Sequence, residues 1–206
     1  MDSSYNDCEG EGDSLKTLVA YKENGKAHML AFGSYYLDDI SIPAENNSFY
    51  KLGNGIVMGS PTDPLSNLSL KLIAREISSM EGTITLDLEF MLDYVLPIVI
   101  KANKDCRTLE VEDGKKCLRD GILFIQGNKI FWIRRSLDAY EIDDFISIGG
   151  NSVPLYNAIN GGYFSDLNYK ERVIECVKGF DKYSKDKRTE VYHIDSEGMR
   201  ARRLHI

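Results

Sequence analysis

From Thr17 onward, apolar and polar positions alternate in short blocks before longer helical periods set in. Thr17-Leu18-Val19-Ala20-Tyr21 predicts a strand, Asn24-Gly25 a tight turn with both residues at positive φ, and Ala27 to Phe32 the return strand. Two further short strands are predicted around Ser48-Leu52 and Gly55-Met58. Leu65, Leu68, Leu72, Ile73, Ile77 and Met80 recur at three- and four-residue steps, which places them on one helix face. Pro64 suits the first turn of that helix, and Glu81-Gly82 ends it. A second helix follows, with Thr85 as its expected N-cap and Leu88, Met91, Leu92, Val95, Leu96 and Val99 as its stripe. Phe90, Tyr94 and Ile98 occupy its other side, so this helix is expected to be covered on more than one face, by a sheet below and another subunit above. Pro97 should kink or end it.

Glu110 to Lys116 is charged and reads as a loop or an edge. Gly121 to Gln126 and Lys129 to Arg135 predict a hairpin around Gly127-Asn128, and Phe145 to Ile148 a further strand. Val153 to Ile159 predicts a short helix. Tyr169, Val173, Cys176, Val177 and Phe180 mark the inner face of a longer one. Glu190 to Ile194 and Met199 to Leu204 close as a hairpin. Strands, two helices, strands, two helices and strands predict an α+β fold, with two sheets between outer helices in a four-layer αββα sandwich. Residues 1–14 are acidic and rich in Ser and Gly, and read as a flexible tail or a propeptide; residues 15–206 read as a single domain.

Composition narrows the function classes. A net charge of -7 over 206 residues argues against a nucleic-acid surface. Arg200, Arg202 and Arg203 read as a solvated strand edge. No stretch reaches the ~18 to 20 apolar residues of a membrane span, and the N-terminus has no apolar signal core, so the cytoplasm is the expected compartment. Cys8, Cys106, Cys117 and Cys176 form no CxxC pair, and free thiols are expected there. Cys106 and Cys117 flank one charged segment, which leaves a bridge between them open. His28, His193 and His205 have no metal-ligand spacing, so neither a metal nor another cofactor is expected.

The last third carries a more specific signal. Ser147-Ile148-Gly149-Gly150-Asn151-Ser152 resembles the Ser-Val-Gly-Ser-Gly-Ser turn of proteasome β-type subunits, which have the N-terminal-nucleophile hydrolase fold. Asp181-Lys182-Tyr183-Ser184 resembles that family's Asp-Ala-Tyr-Ser after its penultimate helix, and Val191 to Gly198 its final hairpin. Gly59 sits where the family keeps a glycine that lets substrate backbone approach. The resemblance runs from about Thr17 to Arg203, although the first third matches in pattern only.

The resemblance implies a threonine nucleophile freed by self-cleavage, with its own amine and a lysine handling the proton and an aspartate orienting the lysine. On this chain the nucleophile position falls at Leu15 or Lys16, the aspartate at Phe32 or Gly33, and the lysine near Ser48. Lys51 is three residues on, an odd shift that turns it to the opposite face. No catalytic residue is therefore expected, with Thr17 the weak candidate; a β-branched strand residue explains Thr17 as well. Asp181, Ser184, Gly59, Gly150 and Ser152 are the expected remnant of the site. Asp181 and Ser184 also suit a helix cap. The Gly149-to-Ser152 turn also suits a plain strand-to-helix corner or an anion site at a helix N-terminus.

The resemblance implies a degenerate member: a non-catalytic structural or peptide-binding subunit, with itself or related β-type subunits as partners in a ring, in the cytoplasm or, in a eukaryote, also the nucleus. Two alternatives stay open. One is a threonine-type peptidase activated by N-terminal processing, with Thr17 or, less well placed, Ser14 exposed. The other is a stand-alone binding protein that docks on another complex.

Overall fold

The computed structural model describes residues 16–37, 40–43, 49–61, 67–161, 164–183, 189–198 and 200–204. The first half runs β1 (Thr17–Glu23), β2 (Lys26–Phe32), β3 (Ser34–Leu37), β4 (Ile40–Pro43), β5 (Phe49–Lys51), β6 (Val57–Gly59), α1 (Asn67–Ser78), α2 (Leu88–Phe90), a π-helical turn (Met91–Val95) and α3 (Leu96–Asp105). The second half runs β7 (Leu109–Glu112), β8 (Lys115–Leu118), β9 (Ile122–Gln126), β10 (Lys129–Ile133), β11 (Ala139–Ile142), β12 (Phe145–Gly149), α4 (Ser152–Asn160), α5 (Tyr169–Tyr183), β13 (Val191–Asp195) and β14 (Arg202–Leu204).

Two five-stranded antiparallel sheets carry these elements, in the orders β12-β1-β2-β13-β14 and β11-β10-β9-β6-β5; β3-β4 and β7-β8 are separate hairpins. Asn24 (φ 51°) and Gly25 (φ 75°) make the first turn and fix the register that sets Tyr21 opposite His28. Side alternation then sorts the first sheet. Leu18, Ala20, Met29, Ala31, Ile146 and Ile148 share a buried cluster with Val57, Leu123 and Ile125 of the second sheet. Val19, Tyr21, Leu30 and Phe32 share another with Leu155 and Ile159 of α4 and Val173, Cys176 and Val177 of α5. Met58, Phe124 and Phe131 of the second sheet form a third with residues of α1, the π turn and α3. β9 is apolar without alternation because both of its faces are covered. No described helix is long and apolar enough to cross a membrane.

Several elements depart from the sequence reading. The second helix starts at Asp87, not Thr85: the Asp87 side chain accepts from the Phe90 amide at 2.8 Å. Pro97 does not end the helix. It follows the π turn, whose wider ring of bonds accommodates a residue without an N–H, and α3 continues to Asp105. The buried face of α1 is centred on Leu70, Ile73 and Ile77, while Leu68 turns outward; Pro64 and Leu65 lie outside the described residues. The second helix buries Met91, Val95 and Val99 but leaves Leu88, Leu92 and Tyr94 exposed, so within this chain it is not covered on two faces. The charged segment is no loop: Asp113-Gly114 turns it into the β7-β8 hairpin. Cys106, Cys117 and Cys176 are all free thiols.

Candidate functional site

The head of β1 is clamped between a neighbouring strand on each side. Thr17 pairs with Gly149 of β12 and with Phe32 of β2, and it is fully buried. Its Oγ1 accepts the Asn151 amide at 3.0 Å, and the Lys16 carbonyl accepts the Gly150 amide at 3.2 Å. Gly149 (φ +101°) makes this closure possible, because a Cβ there would stand 2.3 Å from the Lys16 carbonyl oxygen and 2.9 Å from the Pro61 Cβ. Asn151 is the N-cap of α4, and its side chain makes no capping bond. Two amides at the start of α4 are thus given to oxygens of the chain itself. That commits donors which a helix N-terminus could otherwise offer to an anion.

Lys16, one residue before β1, is buried. Desolvation brings its ammonium down to about 8, with the Asp120 carboxylate opposing the shift. A buried amine that ionises so near neutrality exists partly as a free base, which is the chemical feature of greatest note at this strand head. Ser60, also buried, donates to the Gly121 carbonyl at 2.9 Å and ties the segment after β6 to the start of β9.

The remaining expected positions fall as follows. Phe32 is buried in the cluster under α4 and α5, and Gly33 (φ 103°) ends that strand. Lys51 is exposed and donates to the Gly198 carbonyl at 2.7 Å. Gly59 ends β6, paired with Phe49 and Leu123, and leads through Ser60 to Pro61 at the Gly149 turn. Gly150 and Ser152 flank the Asn151 cap, with Ser152 opening α4. Asp181 belongs to the last turn of α5 rather than to a segment after the helix. Leu15, Ser48 and Ser184 lie outside the described residues. The structure therefore gathers Lys16, Thr17, Gly149, Gly150, Asn151 and Pro61 at one point.

Two clusters of polar side chains were not foreseen from the sequence. Glu110, Glu112 and Cys117 converge with metal-like spacing, but the Arg135 guanidinium stands among them, 3.1 Å from Glu110 and 2.5 Å from Glu112. A resident cation of the chain's own fills that role. His28 and His193 also meet across adjacent strands, Nδ1 to Nε2 at 3.2 Å with rings stacked. The Asn24-Gly25 turn could have revealed half of that pair by placing Tyr21 over His28; the partner strand arrives from far along the chain.

No known family profile matches the sequence, and neither does any curated protein. Solved structures do match. Thiobacillus denitrificans BPH, a bacterial proteasome homologue, superposes with a TM-score of 0.65 at 16% identity, covering 87% of this chain and 97% of that one. The same protein in complex with epoxomicin superposes with a TM-score of 0.62 at 12% identity, covering 87% and 98%. At such identities the likeness is one of fold, and the fold is proteasome-like, built of helices and antiparallel sheets.

Proposed function

We propose that this chain is a proteasome β-like protein without a working threonine-peptidase centre, acting as a structural or peptide-binding subunit among copies of itself or related β-type subunits. The observation that carries this reading is the occupancy of the expected positions. In the register that the resemblance implies, Phe32 and Gly33 take the position of the orienting carboxylate; the nearest hydroxyl at the strand head, that of Thr17, is buried and engaged by the Asn151 amide. A nucleophile of this class needs an exposed hydroxyl beside its own free amine. The three apolar clusters support the finer architecture, a four-layer αββα sandwich formed by residues 15–206 after an acidic segment at 1–14. The free thiols fit a reducing compartment such as the cytoplasm. Exposed apolar residues on α1, α2 and the π turn fit a protein partner.

Casein and fluorogenic peptides test the reading directly. Purified protein should leave both intact. Cleavage that disappears in a Thr17→Ala variant, together with an intact mass lacking the residues before Thr17, would overturn it in favour of a processed threonine peptidase.

A further inference from the structure

An open cavity of about 340 Å³ lies where β11 turns into β12, against α4 and the start of α5. Its lining includes Glu141, Asp143 and Asp144 together with Phe145, Tyr156 and Tyr169. Its size is at the low end of small-ligand pockets, suited to a side chain rather than to a large cofactor. The aromatic wall is ordered: Phe145 and Tyr169 stack with 9° between their planes, and Phe145 and Tyr156 tilt at 34° with centroids 5.9 Å apart. Tyr169 is anchored by donating its hydroxyl to Asp144, which fixes one carboxylate beside the rings. Among the described residues, no cationic side chain pairs with Glu141 or Asp143.

Carboxylates set beside ring faces attract an organic cation twice over, through opposite charge and through the ring quadrupole. The molecule uses this combination elsewhere for one of its own guanidinium groups. Arg134 donates its Nε to both Asp138 oxygens at 3.0 Å while its Cζ stands 4.5 Å over the Tyr140 ring. Arg172 stands 5.3 Å over the ring of Tyr169, which lines the cavity, and donates to the Leu167 and Ser165 carbonyls rather than to a carboxylate. In both ring contacts the cation is an arginine, whose flat, weakly hydrated group stacks on a ring better than an ammonium does. We propose that this cavity receives the guanidinium of an arginine side chain presented by a peptide or protein segment.

The occupant is a peptide arginine rather than the free amino acid, because a free α-carboxylate would meet three carboxylates at the rim. The probe is N-acetyl-arginine N-methylamide, followed by amide shifts of Phe145, Tyr156 and Asn160 in the full chain at low salt. Saturable shifts at those amides are expected. The neutral isostere N-acetyl-citrulline N-methylamide should produce none, and the blocked lysine analogue and free arginine should both bind more weakly. In a Glu141→Gln, Asp143→Asn double variant the dissociation constant should rise at least about fivefold, and in Tyr156→Ala about threefold, with shifts outside the cavity unchanged in both. Equal binding of the citrulline and arginine probes, or arginine-induced shifts confined to other surfaces, would refute the site. Tighter binding of free arginine than of the blocked form would refute the peptide source.

Discussion

His28 and His193 share a single hydrogen bond, so one ring nitrogen must be a donor and the other an acceptor. Two imidazolium rings would instead point N–H at N–H. Burial, reinforced by His28, Lys170 and Arg202 and opposed by Asp195, brings His193 down to about 4. In the unfolded chain an ordinary histidine titrates near ~6.5. Between those two values the unfolded state binds the extra proton, so stability rises with pH across that window. The contribution of a neutral His193 is complete above pH ~6.5 and is lost as pH falls through about 4. With solvent screening the loss should be on the order of 1 to 2 kcal/mol. Melting curves at pH 7 and pH 4.5 should show a larger drop for the native chain than for a His193→Gln variant; equal drops would remove His193 as the cause. At this scale the sequence was informative only where contacts are local. Asn24-Gly25 dictates that Tyr21 faces His28, and the two rings do stack at 5.1 Å. The burial of Lys16 near Asp120 is a long-range consequence of how β12 and the residue after β6 close on the strand head, and no local signal announces it.

The second helix shows how one element is decided by more than propensity. Thr85 and Asp87 are both good N-cap residues and stand two positions apart. The choice falls to Asp87 because Leu86 is drawn into the core, its amide bound to Gln126 Oε1 at 2.7 Å. Leu86 and Met91 share the same buried cluster, the spacing of a hydrophobic staple across a helix start. An Asp87→Ala variant should therefore lose about 1 kcal/mol, or roughly 2 to 4 °C in melting temperature, whereas Thr85→Ala should cost almost nothing. Thermal unfolding of both variants checks the assignment, and the reverse order would return the cap to Thr85. Elements with strong local chemistry were legible: both glycine-asparagine hairpins, α4, and the inner face of α5. β11 went unseen because Ala139–Ile142 is short and half-exposed, giving no run to read. The β7-β8 hairpin carried a readable signal in Asp113-Gly114, but the charge around it hid the strands.

For the whole molecule, the order of elements was enough to suggest a mixed fold of helices and sheets, and helices with antiparallel sheets are what the chain forms. Strand order was not legible: β1 lies between β2 and β12, and β13 joins β2, through contacts that span most of the chain. The site was harder still, since the residues that distinguish a working centre from a vacant one are defined by register at the strand head. What the folded chain leaves uncovered then frames a test of self-association. Leu68, Leu88, Leu92 and Tyr94 are 58%, 43%, 44% and 54% exposed, on α1 and the adjoining α2 and π turn, while their neighbours Leu70, Met91 and Val95 are buried. Exposed apolar side chains flanking a packed stripe fit a protein partner on this part of the surface. Light scattering on the purified chain should give a mass above that of the monomer. A Leu92→Glu, Tyr94→Glu double variant should shift it to the monomer, since burying a charge without a partner in such an interface is far more costly than leaving it in water. The same variant should keep the native far-ultraviolet circular dichroism, because both side chains already face outward. A native chain that is monomeric at every concentration tested would remove self-association. An assembly that persists in the variant would place the contact elsewhere on the surface.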